Sequence, residues 1–149
     1  MTRLNKILLK ISLIVLIMVG FGVLKPQDKK ELSTIKTQAQ DKFISQENDG
    51  ENVKIIVTPK TLAVGEKPSF NIVFETHSVD LAFDVTQINS LVDQKGRVFD
   101  QSIWEGTAPG GHHYNGILTF NEVLSKTEFV KLIIRNVSDI PERIFRWEL

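Results

Sequence analysis

Apolar side chains recur at every second position in short runs after Gly50, and that period decides the fold class. Val53, Ile55 and Val57 alternate within Asn52 to Pro59, and Phe70, Ile72 and Phe74 within Ser69 to Thr76. A strand points successive side chains to opposite faces, so each run predicts a strand with one buried face. The same reading gives strands over Thr86 to Val92, Arg97 to Gln101, Gly116 to Asn121, Phe129 to Val137 and Arg143 to Leu149, the last with Phe145, Trp147 and Leu149 on one face. Ala63-Val64-Gly65-Glu66-Lys67-Pro68 is a Gly and Pro break between the first two. Asp93-Gln94-Lys95-Gly96 is a short hairpin loop whose Gly supplies a positive φ. About seven strands without a good helix predict an all-β domain, an immunoglobulin-like antiparallel β-sandwich, with a small barrel as the other closed solution.

Ahead of this region lies a different kind of sequence. Ile7 to Leu24 is an apolar run whose only charge is Lys10. As a helix at ~1.5 Å per residue it reaches roughly 27 Å, close to the ~30 Å hydrocarbon core. Arg3, Lys6 and Lys10 place its start in the cytoplasm by the positive-inside rule. A cleaved signal peptide shares these features, but Lys25-Pro26-Gln27-Asp28 is a poor cleavage context, which favours an uncleaved anchor. Residues 25–50 are polar and read as a tether. The expected organisation is an anchor over 1–24, a linker over 25–50 and a β-domain over 51–149. It puts the protein in the cell membrane as a single-pass chain, with its C-terminal domain outside the cytoplasm.

Charge and cysteine usage narrow the partners. Residues 1–50 carry eight Lys or Arg against five Asp or Glu, and residues 51–149 carry ten against thirteen. An acidic folded part has no basic footprint for a phosphate backbone, which argues against nucleic acid. With no cysteine in the chain, disulfides, thiolate metal sites and Cys nucleophiles are excluded.

The most distinctive stretch is Trp104-Glu105-Gly106-Thr107-Ala108-Pro109-Gly110-Gly111-His112-His113-Tyr114, which reads as a long Gly-rich loop between strands. Function on a scaffold of this kind sits on such loops. Trp104, Glu105, His112, His113 and Tyr114 are therefore the candidate residues for contact with a ligand or partner. The alternative is that the glycines and Pro109 shape a turn and the aromatics plug its base. His77, His112 and His113 are the chain's three histidines, and converging imidazoles suit copper or zinc, with Asp80, Asp84 or Glu105 as oxygen ligands. Solvated or hydrogen-bonded imidazoles are the alternative, since neighbours in a strand point apart. No nucleophile elbow, phosphate loop or dinucleotide fingerprint occurs, so a non-enzymatic module is expected.

Thr76-His77-Ser78-Val79-Asp80-Leu81, Trp104-Glu105-Gly106 with Pro109-Gly110-Gly111-His112-His113, Leu118-Thr119-Phe120, and Pro141-Glu142-Arg143 with Phe145-Arg146-Trp147 together resemble a family of uncharacterised prokaryotic membrane-anchored or secreted β-sandwich domains. The resemblance covers most of residues 51–149. It implies the domain boundary and marks the Trp104 to Tyr114 stretch as a defining feature, but it carries over no catalytic residue. The combined expectation is an extracytoplasmic interaction or accessory domain held by its N-terminal helix and meeting a protein or small ligand. A copper- or zinc-binding domain is the alternative.

Overall fold

The computed structural model describes residues 43–149. The expected anchor and most of the expected linker lie outside them, and among the described residues no helix is long and apolar enough to cross a membrane. Nine strands and one helical turn follow in order: β1 (Gln46–Gly50), β2 (Val53–Thr61), β3 (Ser69–Thr76), α1 (Val85–Ile88), β4 (Asn89–Asp93), β5 (Val98–Phe99), β6 (Ser102–Gly106), β7 (His113–Phe120), β8 (Phe129–Val137) and β9 (Ile140–Glu148).

The strands form two antiparallel sheets, one ordered β1-β2-β3-β7-β6 and the other β5-β4-β8-β9, with no closed barrel. Period-two alternation sends one face of each sheet into a shared core. Ile55, Phe70, Ile72, Phe74, Leu118 and Phe120 come from the first sheet, and Leu91, Leu132, Ile134 and Phe145 from the second. Buried side chains alternate with half-buried or exposed ones along β2, β3, β8 and β9, as a half-buried strand requires. The β2–β3 register shifts between Pro59 and Thr61, where proline has no N–H to give the ladder.

Several boundaries differ from the sequence expectation, each for a local reason. Asp84 accepts a hydrogen bond from the Thr86 amide at 2.9 Å and caps a single helical turn, so Val85–Ile88 coils and only Asn89–Asp93 extends. β5 is two residues long because the chain then crosses to the other sheet, where Trp104 to Gly106, expected in a loop, are the end of β6. The expected Asp93–Gly96 hairpin turn is present. Gly96 takes φ +78°, and the Asp93 carboxylate accepts from the Lys95 and Arg97 amides at 2.8 and 3.0 Å.

The largest correction is at the N-terminal boundary. Gln46–Gly50, expected in the linker, pairs with β2 along its whole length. Its polar sequence hides it because what holds it is contributed by β9. Trp147 Nε1 donates to the Ile44 carbonyl at 2.9 Å, and the Gln46 amide exchanges hydrogen bonds with the Arg146 main chain. Arg143 crosses from β9 to donate to the carbonyls of Gly50 and Val53 at 2.8 and 3.0 Å.

Candidate functional site

Two loops meet at one end of the two-sheet body. The first, residues 77–84, carries the chain from β3 to the second sheet; the second, residues 107–112, joins β6 to β7. β3 and β7 are neighbours, so their ends bring the loops together, and main-chain hydrogen bonds lock them. The Thr76 amide donates to the His112 carbonyl at 3.1 Å, the Leu81 amide to Gly111 at 3.1 Å, and the Gly110 amide to Leu81 at 2.9 Å. The Gly111 amide donates to Asp80 Oδ1 at 2.6 Å. Gly110 and Gly111 take φ of +118° and +74°, the left-handed region that lets the loop turn its amides toward Leu81 and Asp80.

Beneath the loops lies an aromatic cluster. Tyr114 is fully buried, its ring stacked on Phe74 at 5.6 Å between centroids and met edgewise by Phe83 at 5.7 Å and Trp104 at 5.0 Å. Burial raises the Tyr114 phenol above its ordinary pKa, opposed by a hydrogen bond to the Val85 main chain and reinforced by nearby Asp84. Half-buried Trp104 closes the edge of this cluster and donates its indole N–H to the Thr107 carbonyl at 3.0 Å. Its ring fits because Gly106 and Gly116 face each other in the β6–β7 register: a Cβ on Gly116 would lie 2.7 Å from Trp104 Cζ2 and 2.6 Å from the Glu105 carbonyl.

The expected contact residues therefore separate into groups. Tyr114 points into the core and has no surface to offer, and Trp104 packs on it, half-buried, at the loop base. His77, His112 and His113 are exposed at the loop end. Glu105 is exposed on the outer face of the first sheet, opposite Ile117, and His113 shares that face opposite Glu75. Among the described residues no three His, Asp or Glu side chains are grouped so as to hold a metal ion, and the three histidines are not assembled as a ligand set. The main chain of His112, not its ring, meets the end of β3, and His113 follows it on a strand that turns adjacent side chains apart. Asp80 and Asp84, considered as oxygen ligands, instead receive the Gly111 and Thr86 amides.

Residues that carry the geometry were not all apparent from the sequence. Asp80 fastens one loop to the other. Thr107 pairs with Asn115 through both main chain and hydroxyl, its amide donating at 2.9 Å and its Oγ1 accepting from the Asn115 amide at 3.0 Å. The acidic and glycine-rich character of the two segments was visible, but not that they face each other. Beside the loops a shallow polar cleft of about 370 Å³ is lined by Asp49, Asn52, Lys54, Glu75, His77 and Ser78 among others. The site thus offers a hydrogen-bonded, polar, imidazole-bearing surface on a hydrophobic base. No protein-family model, no curated protein and no solved structure matches the chain.

Proposed function

We propose that the protein is a membrane-tethered extracytoplasmic recognition module of immunoglobulin-like architecture, presenting the paired 77–84 and 107–112 loops to a protein or small-ligand partner without catalysing a reaction. One observation carries this reading. The chain enters the body at Phe43 and Ile44, beside Trp147 and against Pro59 to Ala63 at the end of β2. The paired loops leave from the opposite end, where Val53 pairs with Thr76. The eight steps along β2 separate the two ends by about 26 Å. A tether entering there joins the body at the end opposite the loops and leaves them free of the attachment.

Two further points support it. The order β2-β3-β7-β6 against β5-β4-β8-β9 follows the pairing of immunoglobulin-like sandwiches, whose ends gather recognition loops. Hydrogen bonds between the loops lower the ordering cost of binding, the property that favours recognition at modest area. Localisation is tested by a reporter fused after Leu149, expected to be active only outside the cytoplasm, with the chain staying in the membrane fraction through a high-salt wash. Reporter activity in the cytoplasm would overturn the reading.

A further inference from the structure

The outer faces of the two sheets are chemically complementary. On the five-stranded sheet, the side chains turned from the core include Glu47, Asp49, Glu75 and Glu105, against Lys54, which is already bridged to Glu47 at 3.0 Å, and the exposed Lys60 near the end of β2. Through them runs an apolar diagonal. Ile56 lies opposite Val73, and Ile117 and then Ile103 follow as diagonal neighbours on β7 and β6, with Ile103 54% exposed.

The four-stranded sheet presents the opposite character. Its outer face carries Lys131, Arg135 and Arg146 against Glu142 and Glu148, and both carboxylates are consumed by Arg135 and Arg146 at 3.1 and 2.8 Å. Lys131 takes part in no ion pair among the described residues and lies 5.6 Å from the Phe129 ring centroid. Beside it Ile133 faces Ile144 and Val92 faces Val98, with Ile144 50% and Val98 54% exposed.

We infer that the outer face of the five-stranded sheet of one copy docks on the outer face of the four-stranded sheet of the next, so that copies of this chain associate side by side in rows. Like faces repel or leave carboxylates without partners, whereas unlike faces pair Asp49, Glu75 and Glu105 with the Lys131 region and cover both apolar patches. Charge of this kind sets partner and register while the apolar contact supplies affinity. The contact is heterologous, so it propagates instead of closing into a dimer. The side-by-side arrangement of copies rests on the tether reading above, because a tether shared by every copy gathers them at one surface and raises their effective concentration.

The absence of cysteine gives a clean test on the full chain in its membrane. Ile103→Cys and Val98→Cys, on the β6 and β5 edges that this stacking superposes, co-expressed on separate chains, are expected to give a mixed disulfide dimer on mild oxidation. The two changes on one chain should give a ladder of higher species, and each alone should stay monomeric. Glu75→Lys with Glu105→Lys should cut the mixed yield at least fivefold, and Lys131→Glu in the facing copy should restore at least half of it. A membrane-impermeant thiol reagent applied to Ala108→Cys in intact cells reads topology separately. If that cysteine is labelled and the mixed pair gives no dimer, the inference fails while the tether reading stands. Equal dimerisation by either single variant would also overturn it, because the contact would be isologous. Labelling of Ala108→Cys only after lysis would overturn the tether reading and the arrangement built on it.

Discussion

Arg143 Nη1 donates to Asn48 Oδ1 at 2.7 Å, joining the edge strand of one sheet to the edge strand of the other through a guanidinium that is 1% exposed. Main-chain carbonyls of Asn48, Gly50 and Val53 surround the same group at 3.2, 2.8 and 3.0 Å. Burial lowers the Arg143 pKa from its ordinary value, partly offset by the charges of Asp49 and Glu51. A buried cation solvated by carbonyls is costly to remove singly, because the acceptors lose their donor and a void is left. Arg143→Ala is expected to destabilise by about 3 kcal/mol, read as the midpoint shift in urea at unchanged slope.

The same contacts set the domain boundary. A fragment beginning at Glu51 keeps the apolar strands but leaves Arg143 without Asn48 and Gly50, and uncovers the β2 edge. We expect it to melt at least about 10 °C below a fragment beginning at Phe43, in a scan of the two under one buffer. Equal melting temperatures would return β1 to the linker.

Tyr114 is the only tyrosine, so the ultraviolet absorbance of tyrosinate reports it alone. Its folded pKa is raised above the ordinary value of 10.0. The folded state therefore holds the proton more tightly than the unfolded one. The associated stability is complete below the unfolded value and is lost as pH rises from there through the folded value. Native titration should place the midpoint above that of the urea-unfolded chain, and Tyr114→Phe should reduce the alkaline fall in stability.

Glycine at 116 is a matter of space, and glycine at 65 is a matter of φ. A Cβ on Gly116 meets main chain at 2.6 Å, while one on Gly65, at φ +86°, meets nothing within 4 Å. Gly116→Ala should cost on the order of 3 kcal/mol by forcing β6 and β7 apart, and Gly65→Ala about 1 kcal/mol. Loss of Trp104–Tyr114 packing should accompany only the first, seen as a change in near-ultraviolet circular dichroism.

Strands with their own apolar alternation, β2, β3 and β8, were legible in the sequence because local period and burial coincide there. β1 was not, since Gln-Glu-Asn-Asp-Gly has no buried apolar stripe and is placed by Arg143 and Trp147 from the far end of the chain. Trp104 and Tyr114 read either as contact residues or as plugs at the base of a glycine-rich turn, and what the sequence does not display is that Gly106 and Gly116 allow two strands to close on them. His112 and His113 lie in one stretch and His77 in another, all three exposed. Their failure to converge depends on a register that no single segment encodes.

The central claim is that the paired loops, far from the tether, meet a partner. A photo-crosslinking amino acid placed at His112 or Ala108 of the full chain in living cells tests it against the same probe at Lys126, near the tether end. The account predicts one discrete adduct from the two loop positions, absent from Lys126 and lost when Asp80→Ala frees the loops from each other. Adducts of equal yield from all three positions, or from Lys126 alone, would contradict it.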